Sequence, residues 1–132
     1  MKKTSEGLRW LAAANDDLRQ ARYLAEGGFH AAACFHSQQA GEKAVKAVHF
    51  HRGARAAVGH SIRKLIELLE PRVSALDALI GAARELDLMY IPSRYPNGLD
   101  EGTPGEAFGP EQSKRAINLA QSILAAVTAG MQ

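Results

Sequence analysis

The apolar residues of this chain recur at the spacing of an α-helix almost from end to end, and nowhere do they alternate as a strand requires. Leu8, Leu11, Ala14, Leu18, Ala21 and Ala25 form one stripe, which Gly27-Gly28 stops. A second pattern runs from Phe29 to Arg52 and ends at Gly53, with small residues at Ala33, Ala40, Ala44 and Ala47 that let another helix come close. Gly41 inside it costs about 1 kcal/mol relative to alanine, so close packing or a tolerant exposed position must account for it. His60-Ser61 cap a short third helix carrying Ile62, Leu65, Ile66, Leu68 and Leu69, which Pro71 terminates. Ser74-Ala75-Leu76-Asp77 fits a capping box for a fourth helix with Leu76, Leu79, Ile80, Ala83, Leu86 and Tyr90 on its buried side. Residues 97–110, with four glycines and two prolines, read as a mobile loop. Pro110 then suits the first position of a last helix, with Ile117, Ala120, Ile123, Leu124 and Val127 as its stripe. The spacing predicts an all-α fold, an up-and-down bundle of four long helices plus one short helix, in a single domain over residues 1–132.

With 132 residues the chain is long enough for one modest core. Only 6% of its residues are aromatic and its stripes are rich in alanine, so that core is thin and a homodimer is expected to bury more apolar surface. No apolar run approaches the roughly 18 residues of a membrane span, and Met1-Lys2-Lys3-Thr4 has no apolar stretch behind its lysines. The expected location is cytoplasmic, away from the membrane. Cys34 is the single cysteine and sits in an alanine run, where it reads as an inert buried group. No phosphate-binding glycine loop or nucleophile elbow is present, and no histidine has a glutamate three residues before it. His49 and His51 are two apart and diverge on a helix. Neither a metal site nor a cofactor is expected, and no catalytic residue can be named.

The charge is uneven. Lys43, Lys46, Arg52, Arg55, Arg63 and Lys64 fall between Lys43 and Ile66 without one acidic residue, leaving ten positive and fourteen negative side chains elsewhere, a net of −4. His49, His51 and His60 lie in the same interval. Such a field attracts phosphate groups or polyanions, unless acids from elsewhere in the fold balance it. Along Ser37–Ala47, Gln39, Lys43 and Lys46 share one side of a helix and Glu42 pairs with Lys46, which could equally be a solvated face.

The most specific segment is Tyr90-Ile91-Pro92-Ser93-Arg94-Tyr95-Pro96-Asn97-Gly98, with two of the three tyrosines and two of the five prolines. Each proline fixes its own φ and disfavours the α region for the residue before it, so Ile91 and Tyr95 are expected to be extended and Arg94 to sit on a stiff corner. A guanidinium held still beside aromatic rings suits a phosphate and a base. The alternative is a helix end whose tyrosines close a core and whose Arg94 pairs with a carboxylate. As a binding site the candidates are Arg94 on phosphate, Tyr95 or Tyr90 stacked on a base with Ser93 beside them, and Lys43, Lys46, His60 and Lys64 supplying positive field.

His36-Ser37-Gln38-Gln39-Ala40-Gly41-Glu42-Lys43-Ala44-Val45-Lys46-Ala47, then Gly59-His60-Ser61, then Tyr90–Pro96 resemble, in order and spacing, the small stand-alone prokaryotic form of the HEPN domain. The resemblance spans nearly the whole chain. It implies a short helical bundle, usually homodimeric, a nucleotide or RNA as ligand, and often a neighbouring minimal nucleotidyltransferase as partner. Some such proteins are RNA-cleaving toxins with the nucleotidyltransferase as antitoxin. Members with that ribonuclease activity carry a histidine after four to six residues beyond a late arginine. Beyond Arg94 those positions hold Leu99, Asp100 and Glu101, and no histidine follows His60. Arg55 and His60 have four residues between them but precede the third helix. Three readings remain: a nucleotide-binding component of a two-gene system, an RNA-cleaving toxin using His60 with Arg55 or Arg94, and a non-catalytic interaction module.

Overall fold

The computed structural model describes residues 2–131, so Met1 and Gln132 of the expected domain lie outside them. Three long helices carry the fold: α1 (Lys2–Glu26), α2 (His30–His51) and α7 (Pro110–Gly130). The turn between α1 and α2 needs a left-handed residue, which Gly28 supplies at φ +85°. Short helices α3 (Ile62–Glu67), α4 (Ser74–Asp77), α5 (Ile80–Asp87) and α6 (Pro104–Ala107) connect α2 to α7. Helix α2 is the axis, packing on α1, α7, α3, α5 and α6.

Gly41 marks where these layers meet. A Cβ there would stand 2.9 Å from Ile62 Cδ1, 3.3 Å from Leu86 Cδ1 and 3.5 Å from Ile123 Cδ1, so α3, α5 and α7 converge on a point where an added side chain would have to displace buried methyl groups. Close packing is therefore the reason for the glycine. Around it Val45, Ile62, Ile66, Leu69, Leu76, Leu86, Ile123 and Val127 are fully buried.

The fold is all-α as the periodicity requires, with no strand among the described residues. Three details differ from expectation. The fourth helix is divided at Ala78-Leu79 into α4 and α5, and Ser74 lies inside α4 behind an uncapped Val73. That break lets Leu76 pack toward α7 and α3 while α5 lies against α2 as well. Residues 97–110 are not a featureless loop, because Thr103 and Glu106 form a reciprocal capping box around α6. Finally, the alanine stripes are consumed within one chain: Ala14, Ala21, Ala33, Ala40, Ala44 and Ala47 are all fully buried, while Leu8 at the start of the first stripe is half exposed. No helix among the described residues is long and apolar enough to cross a membrane.

Candidate ligand site at the Arg94 corner

Beyond Asp87 the chain continues in helix-like turns through Pro92 as far as Arg94. Ser93 N donates to the Met89 carbonyl, and both Arg94 N and Tyr95 N donate to Ile91 O. Ile91 thus lies inside a run of turns and not in the extended stretch expected ahead of Pro92. Tyr95, before Pro96, is extended at φ −124°, ψ 133°. The helical spacing stacks position 94 over position 90, and Arg94 Nε donates to Tyr90 O at 3.1 Å.

The guanidinium carbon of Arg94 then lies 4.5 Å from the centre of the Phe35 ring, 4.6 Å from Tyr90 and 4.8 Å from Tyr95. Three π faces surround one cation, a geometry that stabilises it by about 0.5–1 kcal/mol per exposed contact. No carboxylate pairs with Arg94 among the described residues. It is half-buried, and Tyr95 is about half exposed at 49%. Phe35, from α2, is the member of this group that the sequence reasoning missed.

His60 joins along the same face of α2, where Gln38 Nε2 donates to its carbonyl at 3.2 Å. Its ring stacks on Tyr90 with centres 4.5 Å apart and planes 18° apart, and its Nδ1 lies 3.2 Å from Glu42 Oε1. Asp87 fixes this arrangement. From the end of α5 its carboxylate accepts from Ile62 N at 2.7 Å, Ser61 Oγ at 2.9 Å and Arg63 N at 3.2 Å, which caps α3 and ties Gly59-His60-Ser61 to the Tyr90 segment. Ser61 also caps α3 as expected, accepting from Lys64 N at 3.1 Å.

The basic run looks different in three dimensions. Glu42 is buried and holds Lys46 Nζ at 2.9 Å, while Gln38 Nε2 donates to it at 3.1 Å. This is a buried cluster and not the solvated face that the spacing also allowed. Lys43 Nζ lies 2.6 Å from Oδ2 of buried Asp17, in a charge contact without a directed hydrogen bond, and His36 Nδ1 lies 2.9 Å from Oδ1 of the same carboxylate. Arg63 pairs with Glu67. The acids that balance the run flank it in sequence or come from α1. Ser93 turns inward and gives its hydroxyl to the Met89 carbonyl, so it presents no group at the surface. Lys64 is exposed on α3 with no ion-pair partner among the described residues. Of the eight sequence candidates, Arg94, Tyr90, Tyr95 and His60 come together, with Phe35 and Glu42 added by the fold.

Cys34 is fully buried, and burial pushes its thiol up to about 12. The expected buried position holds, and burial there disfavours the reactive thiolate. Among the described residues no three His, Cys, Asp or Glu side chains gather where they could hold a metal ion.

The family model described as HEPN domain matches residues 8–129. A crystal structure of a protein from Thermus thermophilus is 38% identical with a TM-score of 0.89, covering 98% of each chain. An archaeal HEPN homologue is 37% identical with a TM-score of 0.79, covering 96% of this chain and 98% of its own. An HEPN domain protein from Thermotoga maritima is 35% identical with a TM-score of 0.72, covering 92% and 95%. No curated protein is significantly similar to the chain.

Proposed function

The chain belongs to the HEPN domain family, and from that premise we propose that it is a nucleotide-binding member working in a two-gene, toxin–antitoxin-like system with a minimal nucleotidyltransferase. One observation carries the reading: Arg94 is a guanidinium held by three aromatic rings and one backbone carbonyl, with no carboxylate among the described residues to neutralise it. An internal structural arginine would be expected to have such a counter-ion. Here the cation is left for an anion from outside, and the exposed Tyr95 ring beside it can lie on a base. Among the described residues Lys64 has no ion-pair partner, whereas Lys43 and Lys46 are paired with Asp17 and Glu42. The protein is expected to act as a homodimer, with light scattering as the check.

Calorimetry with nucleotides on wild type and Arg94→Ala tests the reading. Affinity should fall at least tenfold while far-ultraviolet helicity stays constant, and both affinities should drop with salt. Unchanged affinity in the variant would leave the corner a structural device only. Co-purification with a nucleotidyltransferase encoded beside it tests the partner.

A second reading, RNA cleavage, draws support from His60. Its imidazole is oriented by a buried carboxylate and packs on the same ring that Arg94 covers, an arrangement suited to proton transfer at a hydroxyl. Here His60 and Arg94 come from separate elements, in place of the spacing that Leu99, Asp100 and Glu101 break. Expression would then inhibit growth and His60→Ala would relieve it; intact RNA after incubation with purified protein removes this reading.

A further inference from the structure

A groove of about 410 Å³ opens beside Arg94, between the α1–α2 turn and α6, with Phe29, His30, Phe35 and Gly105 among its walls. Its volume falls within the range of small-ligand sites, as does a mostly apolar lining with few polar groups. Two of those walls, Phe29 and His30, bear on what the groove could hold.

Phe29 is 64% exposed although it lies between two helices of a tightly packed hairpin. Its ring leans over Gly27, where an added Cβ would come within 3.3 Å of Phe29 Cδ2. The ring thus lies against the Gly27 backbone and is otherwise largely exposed. His30 is half-buried, and its Nδ1 lies 2.8 Å from the hydroxyl of buried Ser113 on α7. That bond engages Nδ1, and Nε2 has no hydrogen-bond partner among the described residues. Another open depression, on α1 at Asp16, Arg19 and Tyr23, offers no such combination because Arg19 already pairs with Asp16 at 2.7 Å.

We propose that this groove is the base subsite of a single nucleotide: the phosphate sits on Arg94, the base stacks on Phe29, and His30 Nε2 meets the edge of the base or sugar. The inference rests on the Arg94 reading above and deepens it, keeping the phosphate on Arg94 and moving the base contact from Tyr95 to Phe29. A free mononucleotide and the phosphorylated end of an RNA chain share this chemistry.

The test is calorimetry at fixed low salt with adenosine 5′-monophosphate and with ribose 5-phosphate, which lacks the base. Wild type should bind the nucleotide about tenfold more tightly. Phe29→Ala, at an exposed position that leaves the core untouched, should close that gap without changing affinity for ribose 5-phosphate. His30→Asn places an amide nitrogen near Ser113 and removes Nε2, and should narrow the gap by a smaller factor. If the two ligands bind equally to wild type, or the gap survives Phe29→Ala, the base subsite is refuted while phosphate binding at Arg94 stands. If neither ligand binds wild type, both readings fail together. A 5′-phosphorylated triadenylate that competes as well as the mononucleotide identifies a chain end as the occupant, and one that competes poorly identifies the free nucleotide.

Discussion

Two sets of cations lie along α2, and they are in opposite states. Lys43 and Lys46 sit in the densest basic stretch of the sequence, yet each is held by a buried carboxylate, Asp17 and Glu42. Arg94 stands outside that stretch, and among the described residues its guanidinium meets three rings and a carbonyl but no carboxylate. The reason is physical. A buried ammonium without a counter-charge costs several kcal/mol, so a fold that buries Lys46 must bring an acid to it. A guanidinium is planar and weakly hydrated, and aromatic faces can accommodate it without neutralising it. Density of charge along the chain therefore says little about which cation is available to a ligand.

Glu42→Ala should break this contrast most severely. It leaves Lys46 buried without its partner and removes the acceptor of Gln38 and His60, and urea denaturation should show a loss of about 3 kcal/mol. A loss under about 1 kcal/mol would mean that water reaches the cluster. Arg94→Ala should cost less in the same measurement, about 2 kcal/mol, since its three aromatic contacts do not add in full, while lowering nucleotide affinity at least tenfold. Arg94→Lys sharpens the point: charge is retained, the planar fork is lost, and nucleotide affinity should still fall several-fold in calorimetry.

Cys34 offers a smaller effect. Its folded-state value of about 12 lies above its ordinary value of 9.0, so stability is unaffected below pH 9 and declines as pH rises from there toward 12. A thiol reagent at about pH 8, below the thiol's ordinary range, should label the chain only after unfolding; labelling of the native protein would show that α2 opens locally. The smallest effect belongs to Arg115 and Glu85, an exposed pair whose nitrogens and oxygens meet at 2.6 Å. The Arg115 hydrogen bond holds the Glu85 carboxyl below the usual carboxylate range. Its contribution is present above that range and is lost as pH falls through the lowered value. Arg115→Ala should return the Glu85 titration, followed by NMR, to its ordinary position without a detectable change in the urea midpoint.

Much of the helical layout was legible from spacing alone. Leu11, Ala14, Leu18 and Ala21 are buried on α1 as their period demands, and Pro110 and Ser61 start helices by local chemistry that needs no tertiary context. The Thr103–Glu106 capping box was equally local, but four glycines and two prolines masked it. The candidate site was legible only in part. Tyr90 and Arg94 are helical neighbours four residues apart, so their stacking follows from the sequence once the turn is helical. Phe35 and Asp87 carried no signal, because an isolated aromatic on α2 and an aspartate at the end of α5 matter only through what approaches them.

By itself, then, the sequence determined the helical class, the positions of most helix ends and the family, all of which follow from short-range periodicity, capping and motif order. Beyond such local pairs as Glu42–Lys46, the tertiary structure decided which charges cancel and which stay open, because Coulomb and π contacts act across a few ångströms, also between residues that lie far apart in the chain. Asp17 reaches Lys43 from another helix, and Asp87 carries the His60 segment to Tyr90.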